Sequence, residues 1–185
     1  RLRMRKKLGL YANIRPTYTF DSLLEKSPIK KSIIQGTDLV FVRELTGGIY
    51  FGKRGRNKTD DYAYDTCEYN VNEIKRLAKI GFELAMKRSK KLCCIDKANV
   101  LETSRLWRQT VQSLEKNYPE VNVSYEFVDA VAMRLIHSPS YYDVLITSNL
   151  FGDILTDEAS VISGSMGLMP SASVGVETSI YEPIH

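Results

Sequence analysis

The spacing of apolar and polar positions changes period several times along the chain, and each change marks an element. Leu39, Val40, Phe41 and Val42 form a short apolar run inside "TDLVFVREL", bounded by turn signals, which predicts a strand. From Asn70 the repeat lengthens. Val71, Ile74, Leu77, Ala78, Gly81, Leu84 and Ala85 fall on one helical face, and Asn70 and Glu73 have capping-box spacing. "KLCCID" (91–96) predicts a buried strand. "NVLETSRLWRQTVQSLEKNYP" predicts a helix with Leu106, Trp107, Thr110, Val111 and Leu114 inward, ended by Pro119. "VNVSYEFV" alternates, with Val121, Val123, Tyr125 and Phe127 facing one way. "DAVAMRLIHSP" reads as a third helix, "YYDVLITS" as a strand and "FGDILTDEASVIS" as a fourth helix. "GLYANIRP" is extended toward Arg15-Pro16, "TGGIYFGKRGRNKTDDY" is a loop or hairpin, and "GSMGLMPSASVG" is a Gly/Ser/Pro loop.

The order β-α-β-α-β-α-β-α predicts an α/β architecture with helices packed on a sheet. No internal repeat and no linker divides the sequence, so residues 1–185 read as a single region, one domain or most of one. The 185 residues are 43% hydrophobic and 26% charged, ordinary for a globular protein and enough for a domain-sized core.

Charge changes this picture little. The net +4 is uneven, since "RLRMRKK" opens the chain with five basic residues in seven. Without interleaved aromatics or a recognition helix, that run argues for a solvated face and against a nucleic-acid partner. The three cysteines, Cys67, Cys93 and Cys94, are odd in number with two adjacent, which argues against a disulfide framework and for a reducing cytoplasm. Their spacing matches no zinc site. No stretch approaches 18 apolar residues and no signal peptide is visible, so no membrane partner is expected. The opening without methionine and the stop at "IYEPIH", where a strand-like run has just begun, give the expectation of a piece of a longer chain.

In α/β folds the chemistry gathers where strands end. Those junctions hold Arg43, Glu44 and Tyr50; Asp96, Lys97 and Asn99; Asp129; and Asn149 and Asp153. Asp129 fits a helix N-cap, worth about 0.5–2 kcal/mol. Asp153 fits the first turn of a helix, where the dipole favours a carboxylate by about 0.3–1 kcal/mol. Asp157 lies a turn further in, and on a helix the two would repel by roughly 0.2–0.5 kcal/mol. Two carboxylates on one face, with a third from elsewhere, suit magnesium or manganese; spacing alone leaves metal binding and capping both open. Lys97 is either a solvated partner of Asn99 or a base in a polar cleft. Tyr50, after two glycines, is either loop packing or a proton donor. Arg5, Arg15 and Arg43 have the forked donors that hold carboxylates.

The strings "RKKLGLYANIRP", "VRELTGGIYFG", "DKANVLETSRLWR", "VDAVAMRLI", "SNLFGDILTDEAS", "GSMGLMPSAS" and "YEPIH" are far more specific together. In this order they resemble the β-decarboxylating dehydrogenases, the isocitrate/isopropylmalate dehydrogenase family, across all 185 residues. "VRELTGGIYFG" is similar to the isopropylmalate branch. The resemblance implies that family's α/β fold, with helices packed on a mixed sheet. It implies that residues 1–185 are the dimerising, substrate- and metal-binding middle of a larger two-domain enzyme. The implied reaction is oxidation and decarboxylation of 3-isopropylmalate to 4-methyl-2-oxopentanoate, with reduction of NAD, in leucine biosynthesis. By motif position, Asp153, Asp157 and Asp129 would hold Mg2+ or Mn2+, and the cation would relieve the repulsion of the first two. Lys97 would be the general base and Tyr50 the acid. Arg5, Arg15 and Arg43 would hold the malate carboxylates, Asp129 would face the substrate, and Val100 would touch its isopropyl group. Lys97 and Asp129 would reach into the partner's site of a homodimer.

The sequence also departs from the family pattern. The nicotinamide-side segment before Arg1 and the glycine-rich adenosine segment after His185 are not in this sequence, leaving His185 at the edge of the cofactor site. Arg1 stands where the family tends to carry an apolar residue. Tartrate or homoisocitrate dehydrogenase remains an alternative, as does a catalytically inactive dimerisation module.

Overall fold

Nine strands and four long helices follow one another in a computed structural model that describes residues 7–164 and 169–183. Arg1, Arg5 and His185 lie outside the described residues. The strands are β1 (Leu10–Tyr18), β2 (Asp38–Glu44), β3 (Arg54–Arg56), β4 (Ala63–Asp65), β5 (Lys91–Asp96), β6 (Asn122–Phe127), β7 (Val144–Thr147), β8 (Pro170–Gly175) and β9 (Ser179–Pro183). The helices are α1 (Val71–Lys87), α2 (Glu102–Leu114), α3 (Val128–His137) and α4 (Asn149–Ser160).

Seven strands form one sheet in the order β6-β5-β7-β2-β1-β8-β9. The first four run parallel, and β1, β8 and β9 extend the sheet with antiparallel pairings. Helical crossovers explain the parallel half, because a parallel neighbour cannot be reached by a tight turn. β3 and β4 form a separate hairpin after the glycine-rich turn.

Both faces of the sheet are covered, so the central strands are apolar throughout rather than alternating. Cys93 and Cys94 show this directly. Cys94 faces Ile74, Leu77, Phe82, Trp107 and Val111 of α1 and α2, while Cys93 faces Val131, Leu135 and Leu155 of α3 and α4. All three cysteines are free thiols, and burial pushes the Cys93 thiol up to about 12.

The capping box forms as spaced: the Asn70 side chain accepts from the Glu73 N–H at 3.0 Å, and the Glu73 carboxylate accepts from the Asn70 N–H at 2.9 Å. Three local expectations are corrected. Residues 170–175 are strand β8, not a loop. Their inward residues Ser171 and Ser173 are buried hydroxyls that receive the Asn13 amide, at 2.8 and 3.3 Å, so no apolar alternation marks the strand. Asp129 is not an N-cap, since Phe127 occupies that position and Asp129 sits inside the first turn of α3. Asp153 is the fifth residue of α4, beyond the first turn, because the helix starts at Asn149. Dipole stabilisation therefore explains neither Asp153 nor Asp157.

At Gly81, α1 lies so close to β7 that a Cβ would overlap the Ile146 γ2 methyl. Gly81→Ala should lose more by overpacking, about 1–3 kcal/mol, than the roughly 1 kcal/mol of helix propensity it gains. Chemical denaturation is expected to show a lower midpoint with an unchanged slope.

Candidate functional site

The end of β2, the glycine turn after it and the outer face of α4 meet at Arg43. This guanidinium is only 3% exposed, so its donors must be satisfied within the protein. Its Nε and Nη2 both donate to Asn149 Oδ1, at 3.2 and 2.8 Å, and its Nη1 donates to Asp153. Helix α4 comes this close because residue 152 is glycine: a Cβ there would stand 2.6 Å from Arg43 Cγ. The Tyr50 hydroxyl donates to the other Asp153 oxygen at 2.7 Å, and the Arg43 guanidinium lies 5.8 Å from the Tyr50 ring centre.

These contacts set the electrostatics. Burial pushes the Asp153 carboxyl up, but the Tyr50 hydrogen bond and the Arg43 charge outweigh it and hold the pKa below 3.8. Burial, and then the Asp153 carboxylate, push the Tyr50 phenol above 10.0. One turn along α4, Asp157 stands 3.6 Å from Arg15, whose Nη1 also donates to Thr156 Oγ1 at 2.7 Å. Arg15, Arg43, Tyr50, Asp153 and Asp157 are thus brought together.

Lys97 and Asp129 make a separate pair. The Lys97 ammonium donates to Asp129 at 2.7 Å and lies 5.7 Å from the Phe127 ring centre. The hydrogen bond from Lys97 leads in holding the Asp129 carboxyl below 3.8. Beneath the pair, buried Asp96 accepts both Arg108 Nε (2.7 Å) and Nη2 (3.0 Å) and caps the Ala98 N–H at 2.9 Å, which shapes the Lys97 turn. Val100 is exposed on that turn. Among the described residues no three His, Cys, Asp or Glu side chains are close enough to share a metal, so Asp129 does not join Asp153 and Asp157 within one chain.

The isocitrate/isopropylmalate dehydrogenase family matches the chain over residues 1–185. The chain belongs to that family. Similar proteins include the 3-isopropylmalate dehydrogenase of Bacteroides fragilis (strain YCH46), 57% identical over 184 residues, with 100% of this chain and 52% of that protein covered. The 3-isopropylmalate dehydrogenase of Clostridium acetobutylicum is 56% identical over 186 residues, covering 98% and 52%. The chain spans about half the length of the curated relatives it matches. Among solved structures, isocitrate dehydrogenase from Methylococcus capsulatus superposes with a TM-score of 0.90 at 32% identity, covering 100% of this chain and 54% of that one. The TT0538 protein from Thermus thermophilus gives 0.89 at 28% identity, covering 100% and 36%. The fold expected from the resemblance is therefore the fold observed.

Of three residues that hold this cluster together, Thr156 and Tyr69 carry no functional signal in the sequence, and Asn149 is marked there only as a polar residue at a strand end. Thr156 is buried and braces Arg15. Asn149 braces Arg43, and the Tyr69 hydroxyl accepts the Asn149 backbone N–H at 2.9 Å. Helical spacing marks Thr156 only as a neighbour of Asp157, and Tyr69 only as a residue before the α1 cap.

The two aspartates should respond differently to neutralisation. Asp153→Asn removes the countercharge of buried Arg43 and is expected to cost about 2–3 kcal/mol, below the range for a fully buried pair because Asp153 is 43% exposed. Asp157 is 59% exposed, and Asp157→Asn should stay within about 0.5 kcal/mol. Because the fold lowers the Asp153 pKa from 3.8, its contribution is complete above that pH and is lost as pH falls through the folded value. Urea unfolding between pH 7 and pH 2 should show Asp153→Asn with a shallower acid loss than the parent.

Proposed function

We propose that the protein catalyses NAD-dependent oxidative decarboxylation of 3-isopropylmalate to 4-methyl-2-oxopentanoate, a step of leucine biosynthesis. The observation that carries this reading is the joined cluster of Arg15, Arg43, Tyr50, Asp153 and Asp157 on one face of α4. The name of the relatives, 3-isopropylmalate dehydrogenase, supports the substrate.

In this reading Arg43 and Arg15, with Arg5, hold the two malate carboxylates by forked hydrogen bonds. Asp153 and Asp157 offer hard oxygen donors on one face, a set that fits Mg2+ or Mn2+ completed by water, substrate and Asp129. Bound there, the ion would polarise the hydroxyl and then the keto oxygen and stabilise the enolate. NAD would supply the hydride acceptor, and by motif position His185 would belong to the residues that border it. Lys97, once its ammonium has released a proton to solvent, takes the hydroxyl proton as the hydride leaves. Once carbon dioxide is lost, Tyr50 returns a proton to the enolate carbon, and the raised affinity of its phenol for that proton keeps it protonated beforehand. Val100 touches the isopropyl group.

Residues 1–185 act here as the dimerising, substrate- and metal-binding middle of a two-domain enzyme that works as a homodimer, with Lys97 and Asp129 serving the partner's site. Two features support this. The Lys97–Asp129 pair stands apart from the two aspartates of its own chain. Met133 and Ile136 of α3, and Leu150 and Ile154 of α4, are exposed apolar side chains on two helices that pack together. Among the described residues no helix is long and apolar enough to cross a membrane, and the free thiols fit the cytoplasm.

Steady-state assays of the full-length protein on 3-isopropylmalate, isocitrate, tartrate and homoisocitrate test the reaction. NADH formation at the highest kcat/KM with 3-isopropylmalate is expected; preference for another acid overturns the assignment. Met133, 71% exposed, tests the dimer. Met133→Glu should give a monomer by sedimentation, with turnover reduced at least a hundredfold, whereas an intact, active Met133→Glu dimer removes the shared-site reading.

A further inference from the structure

Tyr50 and Arg43 lie on one continuous stretch of chain, yet nothing in a glycine turn by itself would hold them in register. The backbone between them is fixed from both sides. On one side buried Glu44 accepts the N–H groups of Thr46 at 2.7 Å and Gly47 at 2.8 Å. On the other, the Tyr69 ring lies flush with the glycines: a Cβ at Gly47 would be 2.7 Å from Tyr69 Cε1, and one at Gly48 would be 2.5 Å from its hydroxyl. Gly48 also has φ +75°, a left-handed conformation that disfavours a side chain.

Asn149 connects this turn to Arg43. Its Oδ1 takes Arg43 Nε and Nη2, its Nδ2 donates to the Gly47 carbonyl at 3.2 Å, and its backbone N–H donates to Tyr69. The contacts close a ring: Arg43 to Asn149, Asn149 to Gly47, along the turn to Tyr50, from Tyr50 to Asp153, and from Asp153 back to Arg43. Asn149 is 1% exposed, so it acts through the groups it holds. An amide suits the position chemically. Its carbonyl satisfies two guanidinium donors without cancelling the charge, which stays available to an acid, and its N–H2 supplies the donor that a carboxylate lacks.

We infer that Asn149 is a positioning residue that sets the Arg43 guanidinium and the Tyr50 turn as one rigid unit, so that the group that binds the acid and the group that delivers the proton stay in register. This rests on the roles given to Arg43 and Tyr50 under the proposed function.

The test uses the full-length protein. Asn149→Ala is expected to raise KM for 3-isopropylmalate at least tenfold while KM for NAD stays within twofold. In an Arg43→Lys background the same change should move the acid's KM less than twofold, because the group it orients is gone. The same factor in both backgrounds would mark Asn149 as merely structural and overturn the inference. Asn149→Asp, isosteric and still an acceptor for Arg43, loses the donor to Gly47, adds a charge beside the guanidinium, and covers the case in which the alanine variant does not fold. Amide hydrogen exchange at Gly47 and Gly48 should then speed at least tenfold, and unchanged exchange overturns the coupling to the turn. If the parent turns over none of the four acids, the functional reading falls, and the exchange measurement alone decides the positioning role.

Discussion

A guanidinium taken almost wholly out of water needs an acceptor for its donors and a countercharge, and the site is organised around meeting that need for Arg43. The residue is the last but one of a central strand, so its backbone is fixed by the parallel pairing of Arg43 with Thr147 on β7. The chain that leaves β7 turns directly into α4 and delivers Asn149 and Asp153 to the two edges of the guanidinium. Gly152 lets the helix lie against the Arg43 stem, where any side chain would push it away. Strand order, helix start and a missing Cβ are thus three parts of one solution.

The same logic recurs at the end of β5, on the far side of β7, with the signs exchanged. There the buried group is an anion, Asp96, answered by the forked donors of Arg108 and by a backbone N–H. Its burial anchors a turn whose next residue, Lys97, has its own N–H held by Ser104 Oγ at 2.9 Å. The Lys97 side chain is consequently presented outward to Asp129, away from the cluster around Arg43. Each strand end buries one ion and holds a second charged group beside it, Asp153 at Arg43 and Lys97 after Asp96. Among the described residues the two groups stay apart within the chain.

Much of this could be read from the sequence where the signal is periodic or local. The α1 stripe and its Asn70–Glu73 cap, the apolar run of β2 and the buried strand through Cys93 and Cys94 are all physical consequences of which faces are covered. The failures share a cause too. β8 is lined by serines whose burial depends on Asn13, a residue far away in sequence, so its alternation of small residues resembles a loop. The start of α4 was hidden because Ser148 and Asn149 look like the polar end of a strand, and that displaced Asp153 into a first turn it does not occupy. The work of Asn149 and Tyr69 leaves no local trace, because it consists of contacts made across long sequence separations. The family resemblance supplied roles for residues such as Lys97 and Asp157, and Val100 as a further candidate, but it did not supply the frame that orients them.

That frame changes the argument about the paired aspartates. Taken as two bare carboxylates one helical turn apart, they invite a cation as the remedy for their repulsion, roughly 0.2–0.5 kcal/mol. In the folded chain each already faces an arginine, Asp153 in direct contact with Arg43 and Asp157 at 3.6 Å from Arg15. The repulsion is therefore offset before any metal arrives, and a cation has to compete with guanidinium groups for carboxylate oxygens. An acid whose own carboxylates engage Arg15 and Arg43 reduces that competition and leaves Asp153 and Asp157 freer to take a cation. By linkage the cation must then favour the acid to the same extent. Under the proposed function, the alternation of arginine and aspartate along this face would make the two ligands depend on one another, which a pair of aspartates alone would not achieve.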